Sequence, residues 1–310
     1  MSAATPDVGL DVPRTLDPLA SAPETRRRPT SFGTVAATAF MIVMTVLWIV
    51  PILFALYVAL RPISSTATYG YVSLPHGGLT FSNFTDAFTQ GQIGHYFVNT
   101  VIITVPTVIV ALVLASAVAF VLTRLHFRGA IFLLILFTAG NLLPQQAIIT
   151  PLYWLFTQLE LPIPGAVLYN TYLGLIVINV TFQLGFCVFV LSNYMRSIPD
   201  EIYEAARVDG ADLWTQWWRL TLPLCRPALA ALATLLTTWV YNDFFWATVL
   251  MSSGDKRPIT SALNNLQGQF VSNQNTIAAA ALLAAIPTLV VYFVLQKQFI
   301  AGLSLGSAKG

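Results

Sequence analysis

The sequence predicts an all-α integral membrane protein with six transmembrane helices and with both termini in the cytoplasm. The first reason is composition, because 56% of the 310 residues are hydrophobic and 9% are charged, whereas soluble domains carry about 25% charged residues. The second reason is the length of the apolar runs, and the third is the distribution of lysine and arginine. Together these observations exclude a soluble globular domain.

The apolar runs are long enough to cross a bilayer as helices. The first run, residues 32–60, contains no charged residue, and at about 1.5 Å per residue such a helix exceeds the ~30 Å hydrocarbon core. It is also much longer than the apolar region of a signal peptide, which has about 7–15 residues. Pro144 and Pro151 interrupt the third run. The six predicted spans are residues 32–60, 98–123, 130–156, 166–194, 228–250 and 277–295.

Lysine and arginine set the orientation of the spans, because cytoplasmic loops carry an excess of both. When residues 199–223 are placed inside, only Arg61, Lys256 and Arg257 lie in outer segments, and every other basic residue lies in an inner segment. Six spans then put both termini in the cytoplasm. The predicted domains are a disordered cytoplasmic tail, a transmembrane domain and a cytoplasmic C-terminal tail, over residues 1–31, 32–300 and 301–310.

Residues 199–223, here called the elbow, contain the densest charge in the chain and separate the fourth and fifth spans. Pro199 suits the first turn of a helix, where its missing N–H would be unpaired, and Asp200 complements the positive end of the helix dipole. Gly210 permits a left-handed turn. A second amphipathic segment follows, and Pro223 is expected to end it. The elbow is therefore predicted to be a helix–turn–helix outside the membrane.

The elbow resembles the EAA loop of ABC importer permeases. The matched positions have the spacing of that loop, and Leu220 stands where the family has isoleucine. The resemblance extends over about residues 32–310 and is to the carbohydrate-uptake branch, the second permease of maltose-type importers. The residues that carry it are Glu204, Ala205, Ala206, Gly210, Leu220, Leu222 and Pro223.

This resemblance implies one subunit of a sugar importer in the bacterial cytoplasmic membrane, working by alternating access. The implied partners are a cytosolic ABC ATPase dimer, a second homologous permease in a heterodimer, and an extracytoplasmic sugar-binding lipoprotein. Membrane lipid would surround the spans, and nucleic acid is not a partner. The elbow would form the coupling helix that docks on the ATPase, with Glu204, Ala205, Ala206, Asp209, Gly210, Leu222 and Pro223 as the coupling residues.

The sequence has no motif for nucleotide binding or catalysis. The phosphate-cradling pattern G-x-x-x-x-G-K-[ST] does not occur in the chain, so ATP and Mg²⁺ are expected on the partner ATPase and no cofactor is expected on this chain. The two cysteines and three histidines do not have metal-ligand spacing. We therefore expect neither a catalytic site nor a metal site.

Polar and aromatic residues inside three spans are the candidates for a substrate path, because polar groups in hydrocarbon usually face the bundle interior or an aqueous cavity. In the fifth span, the spacing i, i+3, i+4, i+7 places four of them on one face of a helix. Aromatic rings beside amides and a carboxylate suit a sugar, whose C–H faces stack and whose hydroxyls form hydrogen bonds. The candidates are Asn141, Gln145, Asn179, Gln183, Trp239, Asn242, Asp243 and Trp246.

Other interpretations fit the same residues. Polar side chains in spans also form hydrogen bonds between neighbouring helices, and tryptophans also concentrate at the membrane interface. A permease for glycerol phosphate or another polyol would share this branch, but a phosphate dianion favours arginine or lysine along the path, and the six predicted spans contain neither. A stand-alone secondary transporter is a more distant alternative, because it gives the elbow no role.

Overall fold

The computed structural model describes residues 32–74, 76–125, 127–141, 143–162, 167–263 and 273–304. Within these ranges the chain is helical apart from its loops and one isolated bridge between Glu160 and Val167, so the all-α prediction is confirmed. The predicted tail at residues 1–31 lies outside the described residues, and so do residues 305–310. The chain divides into two compact units, residues 1–51 and 52–310.

The helices vary widely in length, and several of them are joined by very short breaks. The second half of the third predicted span begins with a 3₁₀ turn, and the second helix of the elbow contains a π-helical segment. The helices are α1 (Phe32–Ala59), α2 (Ile63–Tyr69), α3 (Ser82–Thr89), α4 (Ile93–Arg124), α5 (Ala130–Gly140), α6 (Gln145–Gln158), α7 (Tyr172–Met195), α8 (Asp200–Val208), α9 (Leu213–Leu224), α10 (Arg226–Tyr241), α11 (Phe245–Leu250) and α12 (Gln274–Ser304).

Four of these helices are long and apolar enough to cross a membrane: α1, α4, α7 and the Gln274–Val294 part of α12. Two bent pairs, α5 with α6 at 92° and α9 with α10 at 74°, raise the number to six when each pair is counted as one span. The fifth span is not the single helix expected over residues 228–250. Instead, α10 ends at Tyr241 and α11 begins at Phe245.

The centre of the second unit lies between α4 and α7. Helix α4 carries a stripe of alanines, Ala111, Ala115 and Ala119, which are fully buried at four-residue spacing. They belong to the same apolar cluster as Leu191 and Met195 of α7. Small residues allow membrane helices to approach closely, because packing and not the hydrophobic effect holds helices together in lipid. The paired helices α4 and α7 are thus the frame from which the elbow extends.

The end of α1 is fixed by a polar network around a buried arginine. The side chain of Arg61 donates to the carbonyl oxygen of Gly70 at 2.9 Å. In turn, the side-chain amides of Asn83 and Asn275 donate to the carbonyl oxygen of Arg61 at 2.8 and 3.0 Å. Because Asn83 lies on α3 and Asn275 on α12, these bonds hold three helices together at one end of the unit.

Candidate functional site

The break between α10 and α11 borders a cavity of about 580 Å³, here called the broken-span cavity. Its walls combine aromatic rings with side-chain amides, and they include seven of the eight predicted path residues. The residues that line it are Gln145, Asn179, Phe182, Gln183, Thr238, Trp239, Asn242, Asp243, Phe244, Phe245 and Trp246. Three separate predicted spans therefore contribute to one site.

The geometry of the fifth span differs from the sequence prediction. Asn242 and Asp243 were expected on one face of a continuous helix with Trp239 and Trp246, and that expectation is wrong because the helix stops at Tyr241. The four side chains still border one cavity. They do so because the chain changes conformation between the two helices, which leaves Asp243 at the entrance to α11.

Asp243 is engaged by the protein on both carboxylate oxygens. Oδ1 accepts the backbone N–H of Trp246 at 3.1 Å, and Oδ2 accepts Nδ2 of Asn179 at 3.0 Å. The first of these bonds caps the start of α11, where a negative charge is also favoured by the helix dipole. The backbone carbonyl of Asp243 accepts the hydroxyl of Thr260 at 2.8 Å. Asp243 therefore joins α7, the break and the segment that follows α11.

The two tryptophans of the cavity have different surroundings. Trp246 is 2% exposed, and its ring packs against Phe182 at a centroid distance of 5.2 Å. Trp239 is 43% exposed, and its ring lies at 60° to that of Phe186 with a centroid distance of 5.2 Å. Trp246 is consequently part of the cavity wall, whereas Trp239 presents ring surface that a ligand can contact.

Three amides of the cavity have groups that are available to a ligand. Among the described residues, no hydrogen bond engages the side chains of Gln145 and Gln183. Asn242 donates Nδ2 to the carbonyl oxygen of Thr238 at 2.8 Å, which leaves its side-chain oxygen as an acceptor. An amide supplies both donors and acceptors. These three amides can therefore bind hydroxyl groups that donate a hydrogen bond and hydroxyl groups that accept one.

Asn141 lies apart from this group. It borders a second, more apolar cavity of about 350 Å³, and its Nδ2 donates to the carbonyl oxygen of Phe137 one turn earlier at 3.2 Å. It also lies directly against Gly185 of α7, where an added Cβ would approach Asn141 closer than 3.0 Å. Its contacts are those of a residue that packs α5 against α7.

The first helix of the elbow is largely exposed. In α8, Tyr203 is the single buried residue, and Glu204 and Ala205 are exposed while Ala206 is half-buried. Gly210 has a φ of 85°, in the left-handed region that favours glycine. The N–H of Ala211 then returns to the carbonyl oxygen of Ala206 at 2.9 Å, which closes the helix end. The helix and turn predicted for the elbow are both present.

The second helix of the elbow begins at a cap and continues past its proline. Asp212 accepts the backbone N–H of Thr215 at 2.9 Å, and hydrogen bonds from Thr215 lower the pKa of the Asp212 carboxyl. Pro223 was expected to end this segment, but α9 continues to Leu224 and the chain bends after it. Proline is tolerated here because the π-helical turn at Gln216–Thr221 already alters the hydrogen-bond pattern of the helix.

Two residues at the base of the elbow, Arg124 and Tyr203, are not among the candidates predicted from the sequence. Arg124 ends α4 and lies in a pocket of about 300 Å³ with Asp200, Tyr203 and Gln216. In the sequence, Arg124 is only one of several arginines that flank a span, and Tyr203 is only one apolar position of α8. No local pattern brings the two together, because they are far apart in the chain.

The elbow and the cavity contain no cluster suited to a metal ion in the described part of the chain. Within those residues, no three His, Cys, Asp or Glu side chains lie together. Cys187 and Cys225 are both buried as free thiols. The residues that line the cavity offer hydrogen-bonding groups and aromatic rings.

Comparisons with known proteins relate this chain to transport proteins. Residues 111–304 match the family described as the binding-protein-dependent transport system inner membrane component. The diacetylchitobiose uptake system permease protein NgcG of Streptomyces coelicolor is 32% identical over 275 residues, which cover 87% of each chain. The melibiose/raffinose/stachyose import permease protein MelC of Bacillus subtilis is 32% identical over 235 residues, covering 75% of this chain and 82% of MelC.

A solved structure has the same fold. It is the crystal structure of a bacterial ABC transporter involved in the import of the acidic polysaccharide alginate, with a TM-score of 0.72 and 22% sequence identity. The match covers 88% of this chain and 98% of the chain in that structure. The likeness thus extends beyond the elbow to nearly the whole helical domain.

Proposed function

The chain belongs to the family of binding-protein-dependent transport system inner membrane components, and on this basis we propose that it is a permease subunit of a bacterial ATP-driven ABC importer for sugars. One observation carries the proposal. The family match over residues 111–304 contains both the elbow and every residue that lines the broken-span cavity. The proposed region for contact with an ATPase and the proposed region for contact with substrate both lie within the matched part of the chain.

The proposed mechanism is alternating access driven from the cytoplasm. ATP and Mg²⁺ bind a cytosolic ABC ATPase dimer, whose closure moves α8 and turns the two permeases outward. Exposed Glu204 and Ala205 suit docking, because a small side chain permits close approach and a carboxylate offers a charged contact. Asp209 and Gly210 form the turn that follows. Together with Ala206, Leu222 and Pro223 they are the proposed coupling residues.

The lining of the cavity favours a neutral di- or oligosaccharide. Trp239 offers an aromatic face, and the amides of Gln145, Gln183 and Asn242 offer hydrogen-bond groups. None of the described lining residues is basic, so an anionic glycan or glycerol phosphate lacks a counter-charge at this cavity. The relatives named for diacetylchitobiose and for melibiose, raffinose and stachyose suggest the same class.

The proposed assembly has three further components. A second, homologous permease completes a heterodimer, and an extracytoplasmic sugar-binding lipoprotein delivers the substrate. The elbow and both termini face the cytoplasm in the bacterial cell membrane, as the distribution of lysine and arginine predicts. This chain supplies the path, and the ATPase supplies the chemical step.

The first test is purification of the tagged chain in mild detergent from its native membrane, followed by mass spectrometry of the proteins that accompany it. We expect an ABC ATPase, a second permease and a sugar-binding lipoprotein. The recovered complex is then placed in proteoliposomes and assayed for ATP-dependent uptake of diacetylchitobiose, melibiose and raffinose, with glycerol 3-phosphate as the anionic control.

Uptake of a neutral sugar that requires ATP would support the proposal. Uptake of glycerol 3-phosphate alone would overturn the substrate class while leaving the importer assignment intact. Recovery of the chain without an ATPase, together with solute transport that needs no ATP, would overturn the importer assignment itself.

A further inference from the structure

A buried arginine at the end of α4 holds the base of the elbow. Only 8% of the Arg124 side chain is exposed, although it lies at the last residue of a long helix. Its Nη1 donates to the carboxylate of Asp200, and its Nη2 donates to the carbonyl oxygens of Met195 and, at 3.2 Å, Ile198. One guanidinium therefore connects α4 with the end of α7 and the beginning of α8.

The same guanidinium lies over the ring of Tyr203, with its carbon 4.0 Å from the ring centroid. A cation placed over an aromatic face is attracted by the ring quadrupole. Tyr203 is the single buried residue of α8. Tyr203 also packs against Phe120 of α4, with ring centroids 6.4 Å apart. Because Asp200 and Tyr203 both contact Arg124, this one side chain links two positions of α8 to the spans.

The contacts of Tyr203 continue into the second helix of the elbow. Its hydroxyl lies 3.1 Å from Oγ1 of Thr221, and the Thr221 hydroxyl donates to the carbonyl oxygen of Gln216 at 3.0 Å. Nε2 of Gln216 donates in turn to the carbonyl oxygen of Ala211 at 2.8 Å, in the turn after α8. The two elbow helices are therefore linked by side-chain bonds as well as by the chain.

We propose that Arg124 is the positioning residue that transmits movement of α8 to the membrane helices α4 and α7. The inference rests on the proposed function, in which an ATPase moves α8. The planar guanidinium can reach a carboxylate, two carbonyl oxygens and a ring together, whereas the ammonium of lysine is a point charge that cannot satisfy all of them. Loss of Arg124 leaves α8 free to move without carrying the spans.

The experiment follows the opening of the broken-span cavity without requiring a known sugar. Thr238 lines the cavity and is exposed, so a Thr238→Cys chain reports access to it, and the native cysteines are both buried. The complex with its ATPase is reconstituted in vesicles with the cavity's outer side facing the medium. An impermeant maleimide is added outside, with or without Mg-ATP and vanadate inside, and the rate of labelling at residue 238 is measured.

In the Thr238→Cys background, trapping with vanadate is expected to increase the labelling rate. Adding Arg124→Gln should reduce this response on the order of ten-fold, within the range typical of coupled sites, while the complex still assembles and hydrolyses ATP. Arg124→Lys should give an intermediate response. Arg196→Gln is the matched control, because Arg196 is exposed at the same junction and should respond like the background.

A full labelling response in Arg124→Gln would overturn the assignment of Arg124, and so would failure of that variant to assemble with the ATPase, since the residue would then serve folding. Absence of any response to ATP in the background itself would overturn the proposed function, and the inference with it. Equal losses in Arg124→Gln and Arg196→Gln would point to charge at the junction and contradict a specific role for Arg124.

Discussion

Asp243 is the only acidic residue among the described residues that line the broken-span cavity. Replacing it distinguishes a structural role from a role in binding sugar. The structure places its carboxylate in the scaffold, bonded to Asn179 and to the backbone of Trp246. If that is its role, Asp243→Asn and Asp243→Ala should lower stability in a graded way. If it instead binds sugar, transport should be lost while stability is preserved.

The magnitude follows from the two hydrogen bonds. A hydrogen bond to a charged group contributes about 1.5–3 kcal/mol, but Nδ2 of Asn179 keeps a second acceptor, the carbonyl oxygen of Leu175 at 3.0 Å. We therefore expect Asp243→Ala to cost about 2–4 kcal/mol of folding free energy. Asp243→Asn keeps an oxygen that can accept the backbone N–H of Trp246, but its new side-chain NH₂ faces the NH₂ of Asn179, which can no longer donate to it. We expect this variant to lose about 1–2 kcal/mol of folding free energy.

The assay is thermal unfolding of the purified complex, combined with ATP-dependent uptake normalised to the folded fraction. The control for melting temperature alone is Asn242→Ala, because the Nδ2 of Asn242 bonds only one turn back in the chain, to the carbonyl oxygen of Thr238. We expect the melting temperature to be highest in the wild type, lower in Asp243→Asn and lowest in Asp243→Ala. Uptake by the asparagine variant should be largely retained. A wild-type melting temperature in Asp243→Asn together with abolished uptake would refute the scaffold role.

Three further changes test the elbow, the helix packing and the cavity. Gly210→Asp should abolish uptake but not membrane insertion, because φ at Gly210 is 85° and a side chain disfavours that conformation; normal uptake alongside normal abundance on an immunoblot would remove Gly210 from the coupling residues. Gly185→Ala should cost about 1–3 kcal/mol by overpacking, since its Cβ would overlap a backbone carbonyl, whereas Gly140→Ala meets nothing within 4 Å; equal melting temperatures would contradict this packing. Trp239→Ala should raise the sugar concentration for half-maximal uptake by about 2- to 12-fold, the loss of ~0.5–1.5 kcal/mol of aromatic contact, and an unchanged value would show that the ring does not touch sugar.

The features that could be predicted from the sequence are those encoded by local composition and spacing. Long uncharged runs predicted the spanning helices α1, α4 and α7, because the bilayer requires length and apolarity and little else. The elbow was also predictable, since Pro199 before α8 and Gly210 after it restrict the backbone conformation within a few positions. Seven of the eight predicted path residues line the broken-span cavity, as expected because polar groups in spans seldom face lipid.

The contacts at the base of the elbow could not be predicted in this way. Arg124 and Asp200 are 76 positions apart, and arginine at the end of a span is usually explained by the positive-inside bias alone. Its burial depends on the close approach of α4 and α7, which brings the carbonyl oxygen of Met195 to the guanidinium. Only the folded arrangement distinguishes this arginine from exposed neighbours such as Arg196.

The break between α10 and α11 in the fifth span could not be predicted from the sequence either. Neither proline nor glycine occurs between Thr238 and Leu250, so neither of the two strongest helix breakers marks the break. The helix stops because Asp243 finds partners elsewhere: Asn179, which is 64 positions away, and Thr260, which is 17 positions away. Hydrogen bonds to these distant residues take the place of backbone hydrogen bonds of the helix. Local sequence patterns do not predict them. Since no proline enforces the break, we expect its stability to depend on Asp243, and the two substitutions at that residue measure this dependence directly.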